Sequence, residues 1–478
     1  MSSLVLTVFL GPLLAAAVAW LLPGEKSRRG LAIGTALAMT LASFGLLVEA
    51  ASGAVTVLSF GGWNPPLGIS FQADRLAALF LCLLSLVLLA TFLSLPAAGR
   101  RVVGGALFLA AALAGAFLTA DLFNLFVMFE LVLVSSYLLL QASADKARRA
   151  SAPYVVMNVL ASLLFFVGVG MLYALGGSLD LAQLTVSLAE VRSPWKAVGV
   201  GLLALAFATK AGIVPLMFWL PRTYPHLAGP LAALFAGLMT KLGVYALLRT
   251  APLMAATPLP EALLWAGALS SLLAVLAAQA QTRFRRLLSF HVVSQVGFIL
   301  VGVGLASIAG IAGAVLYLAH HVLVKTALFL TVDALGAEPR GRPGGSREQA
   351  PSPALRGAFL LAGLSLAGLP PLSGFLGKVA VLTPLVGASR PVVTAILLAA
   401  SIFTLASVLK IWTTGFSPPS DGPIPIPAGR RHPPLGAGLL VAASLILAVA
   451  AGPAFDFARA TAEQLLEPVT SPMAGIGP

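Results

Sequence analysis

The sequence predicts an all-α, polytopic membrane protein of about 14 transmembrane helices, and three observations lead there. Of its 478 residues, 59% are hydrophobic and only 9% charged, and the mean hydropathy is +1.00, a balance that soluble domains do not show. Apolar runs long enough to cross a hydrocarbon core of about 30 Å recur along the whole chain. Several of these runs carry a lysine far from their ends, where lipid rejects charge.

Taken in order, the runs fall near 4–22, 29–51, 73–95, 102–120, 122–141, 154–175, 197–220, 227–249, 260–280, 287–306, 308–335, 355–385, 391–415 and 435–453. No basic stretch followed by a cleavage site opens the chain, so the first run reads as a span rather than a removed leader. Residues 52–71, which include GGWNPPLG, are expected to form an ordered outer hairpin or cap. The Gly/Pro-rich stretch 336–353 is expected to be a mobile linker, and the tail 454–478 is too short for another span. This divides the chain into N-terminal helices (1–101), two five-helix units (102–250 and 251–415) and a last helix with a short tail (416–478).

Charge placement sets the orientation. Fourteen spans put eighteen Lys and Arg in the loops of one side and five on the other, which carries both termini. The positive-inside rule then places both termini outside the cell membrane. The net charge of +13 is scattered over short loops, which excludes a nucleic-acid-binding domain. The one cysteine, Cys82, excludes a disulfide framework or an iron–sulfur site within the chain. No P-loop, dinucleotide fingerprint, zinc pattern or nucleophile–base pair is visible, so a transporter without a cofactor is expected rather than an enzyme.

Five lysines lie within apolar runs: Lys210, Lys241, Lys325, Lys378 and Lys410. Each costs about 2.5–3.5 kcal/mol at mid-membrane, so a purpose for them is expected. Lys410 is close to the inner end of its run, where a long side chain can also snorkel to the headgroups. Glu130 is the one acid deep in a span, and pairing with a lysine would let the two titrate as a unit. In YLAHHVLVKTALFL, His320 and His321 precede Lys325, which lies one turn beyond His321. Histidine suits proton relay. Adjacent histidines point about 100° apart with no carboxylate one turn away, which argues against a metal. Either histidine can face the interior on this pattern.

Two runs are broken beside their lysine, the seventh at Gly212 and Pro215, the twelfth at Pro370, Pro371, Gly374 and Gly377. A charge beside a helix break is the design of an ion path. The two broken runs cross the membrane in opposite directions, five spans apart, which predicts two inverted repeats, spans four to eight and nine to thirteen. Lys241 and Lys410 then occupy corresponding positions.

These motifs resemble the antiporter-like family, which comprises proton-pumping subunits of respiratory complex I and membrane-bound hydrogenases and the two large subunits of Mrp-type Na+/H+ antiporters. The resemblance covers about 70–450. The family pattern of a glutamate in the fifth helix, lysines in the broken seventh and in the eighth, a histidine and lysine in the eleventh and a lysine or glutamate in the broken twelfth falls here on Glu130, Lys210, Lys241, His320 or His321 with Lys325, and Lys378. DLFNLFVMFELVLVSSYLLL, MFWLPRTYP, TKLGVYALLR, RRLLSFHVVSQVGF and AHHVLVKTALFL look most like the D-type branch of the Mrp antiporters. The resemblance implies a proton-translocating subunit of a hetero-oligomeric Na+/H+ antiporter, with a redox-driven proton pump as the alternative. It also implies a row of buried groups from Glu130 and Lys210, through Lys241, the histidines and Lys325, to Lys378. Ammonium groups line most of the row and sodium needs oxygen ligands, so protons are the expected ion in this chain and sodium is expected to need another subunit.

Overall fold

A computed structural model describes residues 2–60, 68–96, 98–143, 151–336, 351–416 and 435–466. Most of GGWNPPLG, the basic loop 145–149, nearly all of the linker 336–353 and the end of the tail lie outside the described residues. The chain is nearly all helical. Among the described residues, twelve helices are long and apolar enough to cross a membrane, or thirteen if the bent C-terminal pair is one span. They include α1 (Ser2–Leu21), α2 (Glu25–Ala51), α3 (Arg75–Ser94), α4 (Arg100–Leu118), α5 (Leu122–Gln141) and α6 (Ala152–Gly176). After α7 (Pro194–Ala211) come α8 (Gly229–Arg249), α9 (Leu259–Gln279), α10 (Phe284–Gly304) and α11 (Ile308–Ala334). Two shorter apolar helices follow, α12 (Pro353–Ala367) and α13 (Ser373–Gly387), and then α14 (Pro391–Ile411). The last described helices are α15 (Leu435–Val449) and α16 (Ala451–Leu466), bent 85° from one another.

Several connections between helices are ordered by local capping. Strands β1 (Thr56–Ser59) and β2 (Ser70–Ala73) pair antiparallel, Thr56 opposite Ala73, so the two strands of the hairpin expected in 52–71 are present on either side of residues that lie outside the described ones. Asp74 then caps α3, accepting from the Ala77 amide at 2.9 Å. Asp121 caps α5 and Asp180 caps a short helix over Leu181–Ala189 in the same way. The pattern of apolar runs gives no sign of that short helix. The backbones of the two aspartates form an antiparallel bridge, and burial holds both carboxyls above the usual carboxylate range.

Both broken runs end their first helix identically. Gly212 (φ +72) and Gly368 (φ +88) adopt the left-handed conformation that glycine takes without a Cβ clash. Each turns its N–H back onto two carbonyls, Ala208 and Thr209 in one case, Leu364 and Ser365 in the other. Beyond Gly212 the chain runs through short 3-10 and α segments over 216–226. Beyond Gly368 it restarts at Ser373. Gly374 and Gly377 therefore lie inside α13 rather than in the break. They allow close approach instead: a Cβ on Gly374 would sit 1.7 Å from the Ser365 carbonyl, and one on Gly377 2.7 Å from the Tyr317 ring.

The membrane-crossing parts of α8 and α11 lie wholly inside the bundle, whereas those of α1, α2 and α14 are one-third buried. The outer helices present Leu41, Val48, Val134, Val156 and Ile402, each more than half exposed, as a lipid-facing surface must. At the centre, small residues bring backbones together. A Cβ on Gly243 of α8 would fall 2.5 Å from the Phe207 carbonyl of α7, and one on Gly237 2.4 Å from Thr326 Oγ1 of α11. A Cβ on Gly313 of α11 would fall 2.4 Å from the Ala380 carbonyl of α13. Buried or half-buried ion pairs lock the ends of this core: Asp74 with Arg249, and Arg285 with Asp333.

Candidate functional site

The backbone contacts order the lysine-bearing helices as α7, α8, α11 and α13, with α10 beside α11; α5 packs its backbone on α6 and reaches α7 through side chains. Phe129 and Phe207 join α5 to α7 with ring centroids 5.7 Å apart. Lys210 emerges in the last turn of α7, and its Nζ lies 5.3 Å from the Phe129 ring centroid, a cation–π geometry. Phe129 is followed by Glu130, whose charge reaches Lys210 through space. The expected pairing is not a direct one: neither Lys210 Nζ nor Glu130 Oε1 has a hydrogen-bond partner.

One helix further, Lys241 is fully buried, and its Nζ donates to the Ala236 carbonyl at 2.6 Å. Its charge acts on His321 and Lys325 of α11. Lys325 Nζ and both ring nitrogens of His321 are buried without a hydrogen-bond partner. His320 differs. Its Nδ1 lies 2.9 Å from Ser373 Oγ at the start of α13, and its Nε2 has no partner. Ser373 Oγ in turn bonds Ser444 at 2.8 Å and Ser365 at 3.2 Å. Both histidines thus face the interior, and only His320 is tethered.

Lys378, in α13, reaches back across the break. Its Nζ donates to the carbonyl of Ala367, the last residue of α12, at 2.8 Å, and stands 5.1 Å from the Phe298 ring centroid. Its side chain passes over Gly368, where a Cβ would come within 2.7 Å of Lys378 Cδ. Lys410 is set apart from the others. It is only partly buried, and its Nζ donates to the Gln279 and Gln281 carbonyls at 2.7 and 2.9 Å. It therefore caps the C-terminal end of α9, where a cation opposes the helix dipole.

The structure brings Glu130 and Lys210, then Lys241, His320, His321 and Lys325, then Lys378 into one sequence of neighbouring helices, and leaves Lys410 outside it. It also adds residues that the sequence does not single out. His291 of α10 is 1% exposed with both ring nitrogens unpartnered. Gln295, one turn on, accepts a short hydrogen bond from Tyr317. No group of His, Cys, Asp and Glu among the described residues is arranged to hold a metal ion.

Residues 119–404 match the family profile described as NADH:quinone oxidoreductase/Mrp antiporter, TM. The chain is 36% identical to the D subunit of the Na(+)/H(+) antiporter of Alkalihalophilus pseudofirmus, over 98% of both chains. Among solved structures it is similar to a chain of the Mrp complex from Dietzia sp. DQ12-45-1b, with a TM-score of 0.89, 28% identity and 98% of both chains covered. A chain of respiratory complex I from Thermus thermophilus is also similar, with a TM-score of 0.84 and 28% identity over 97% of this chain and 99% of that one.

Proposed function

The chain belongs to the NADH:quinone oxidoreductase/Mrp antiporter family, and from that premise we propose that it carries protons through a multisubunit Na+/H+ antiporter along the row Glu130, Lys210, Lys241, His320, His321, Lys325, Lys378. It is a transporter subunit rather than an enzyme, and its partners are the other membrane subunits of such an assembly. One observation carries the proton path. Buried polar atoms nearly always have hydrogen-bond partners, yet Lys210 Nζ, Lys325 Nζ, Glu130 Oε1 and ring nitrogens of His320 and His321 have none within the chain. Each such group costs about 1–3 kcal/mol when buried, and packing would not gather them on adjacent helices. Water and a migrating proton satisfy them.

The architecture that goes with this path counts α12 and α13 as one broken span and α15 as another, fourteen in all. Spans four to eight and nine to thirteen form inverted repeats, within the segments 102–250 and 251–415, and both termini lie outside the cell membrane. The matching glycine-terminated breaks at Gly212 and Gly368 support the repeats. The capping role of Lys410 sets it apart from Lys241, its proposed counterpart. Sodium binds elsewhere in the assembly, because a row of ammonium groups offers no oxygen cage.

The test is Na+-induced dissipation of a pH gradient in everted vesicles carrying the full complex. Lys378→Ala should abolish it at equal complex abundance, and wild-type activity would remove Lys378 from the path. Purified chain in liposomes should show no Na+-dependent proton flux; robust exchange by the isolated chain would overturn the assignment of sodium to partner subunits.

A further inference from the structure

Between Lys325 and Lys378 the row offers one tethered histidine, His320. His291 stands beside the same interval on another helix. It is 1% exposed, and neither Nδ1 nor Nε2 has a hydrogen-bond partner. An imidazole buried in that way is costly unless water or a proton visits it. Its surroundings are set by α10 itself. Gln295 is held to α11 by the Tyr317 hydroxyl, and Tyr317 packs its ring 5.4 Å from that of His320. Phe298, the platform under Lys378, packs 5.5 Å from Tyr317. His291, Gln295 and Phe298 are four and three residues apart, so they form one stripe of α10. The stripe faces α11 and α13, and His291 lies one turn beyond the fixed Gln295. At that level the charges of Lys325 on α11 and Lys378 on α13 both act on it. His291 in turn acts on His321. The other titratable or charged groups on elements packed against α10 are Lys241, Tyr245 and Arg249 of α8, His320 and Asp333 of α11, Arg222, Tyr224 and His226 of the 216–226 segment, Glu261 of α9 and Lys410 of α14; Arg249, Asp333 and Glu261 are ion-paired at the helix ends, and Lys410 is occupied as a helix cap.

We propose that His291 is a proton-carrying link between Lys325 and Lys378, on the opposite helix from His320. The link rests on the proton path proposed for the chain and adds to it a residue on the tenth span. Because His320 Nδ1 is engaged by Ser373 while His291 is untethered, His291 can expose either ring nitrogen to either lysine. A proton taken by one nitrogen from the Lys325 side is released from the other toward Lys378, leaving a neutral imidazole of the other tautomer. A ring reorientation then restores the starting form.

The experiment uses the assembled complex in everted vesicles, with Na+-induced dissipation of a pH gradient measured between pH 7 and 9. His291→Gln keeps a polar side chain of similar size but cannot titrate. It should lower the maximal rate about tenfold or more, with half-saturating Na+ unchanged within about twofold and complex abundance equal to wild type. His291→Asn serves as the second variant if the Gln variant fails to assemble. Lys378→Ala is run in parallel. Wild-type rates across the pH range in either assembled histidine variant overturn the link. If Lys378→Ala is then inactive, the path stands without His291; if it too is active, the path falls with it.

Discussion

The two broken spans share a device and differ in what balances it. In each, a left-handed glycine ends the first helix, and a buried lysine nearby rests on a phenylalanine ring, Lys210 on Phe129 and Lys378 on Phe298. At the first break the lysine precedes the glycine, has no hydrogen-bond partner, and feels a carboxylate through space. At the second the lysine comes ten residues after the glycine, folds back over it, and donates to the terminal carbonyl of α12. No acid stands beside it among the described residues. A counter-charge balances the first lysine; the carbonyl end of a helix, the negative pole of its dipole, balances the second. The first arrangement changes when either partner takes or loses a proton. The second changes only when the lysine itself does.

That difference can be broken most decisively at the first site. Glu130→Gln and Lys210→Gln should each reduce Na+-induced proton flux by about a hundredfold or more. If the two act as one unit, the double variant should be no worse than either. Additive losses would show that they work separately. A smaller effect sharpens the contrast at the glycines. Alanine at Gly368 must displace the Lys378 side chain, so transport should fall about tenfold to a hundredfold by misplacing the ammonium. Alanine at Gly212 meets Leu220 Cδ1 at 3.2 Å and no lysine, so its effect should be mainly backbone strain of about 1–2 kcal/mol, read as a lower Tm with transport retained. Equal transport losses in the two would contradict the geometry.

Packing tests come next. Gly243→Ala pushes against backbone atoms of α7 and should cost about 1–3 kcal/mol. Gly357→Ala has open space and should be neutral or stabilise by about 0.5–1 kcal/mol. Thermal unfolding of the two purified variants checks the ordering. The smallest effect is expected at Lys410→Gln, which removes a helix cap worth about 1 kcal/mol and should leave transport within about twofold of wild type. Abolished transport there would return Lys410 to the row.

Much of this architecture is legible from residue types alone. Apolar runs bounded by turns locate the helices, because spanning segments must satisfy their own backbone. Glu130 and the lysines announce themselves because charge in such runs is costly. What stays hidden depends on which way a helix faces. His291 sits in an apolar run that reads as ordinary, and only the seating of Gln295 against Tyr317 turns it toward Lys325. Lys410 stands near the end of its run and Lys378 beside a break, but only the partner carbonyls show that the first caps α9 and the second reaches back to α12. Gly374 and Gly377 suggest a break by composition, whereas they serve close approach to Ser365 and Tyr317. The 85° turn between α15 and α16 falls at Ala450, just before Gly452 and Pro453, where the last apolar run is expected to end.

The glycine contacts at Gly243, Gly237 and Gly313 have a mechanical meaning. Transporters that expose a site alternately to each side need an interface that slides or rocks. Here α7, α8, α11 and α13 meet through backbone or near-backbone atoms at each step, with no side-chain cushion on one side to reshape. Rotating one of these helices would drive main chain into its neighbour. Such contacts favour the four moving as one body, which leaves side-chain rotations as the cheaper rearrangement. The proton path proposed above would then run as a circuit in a fixed frame, with charge passed between side chains while the backbone stands still.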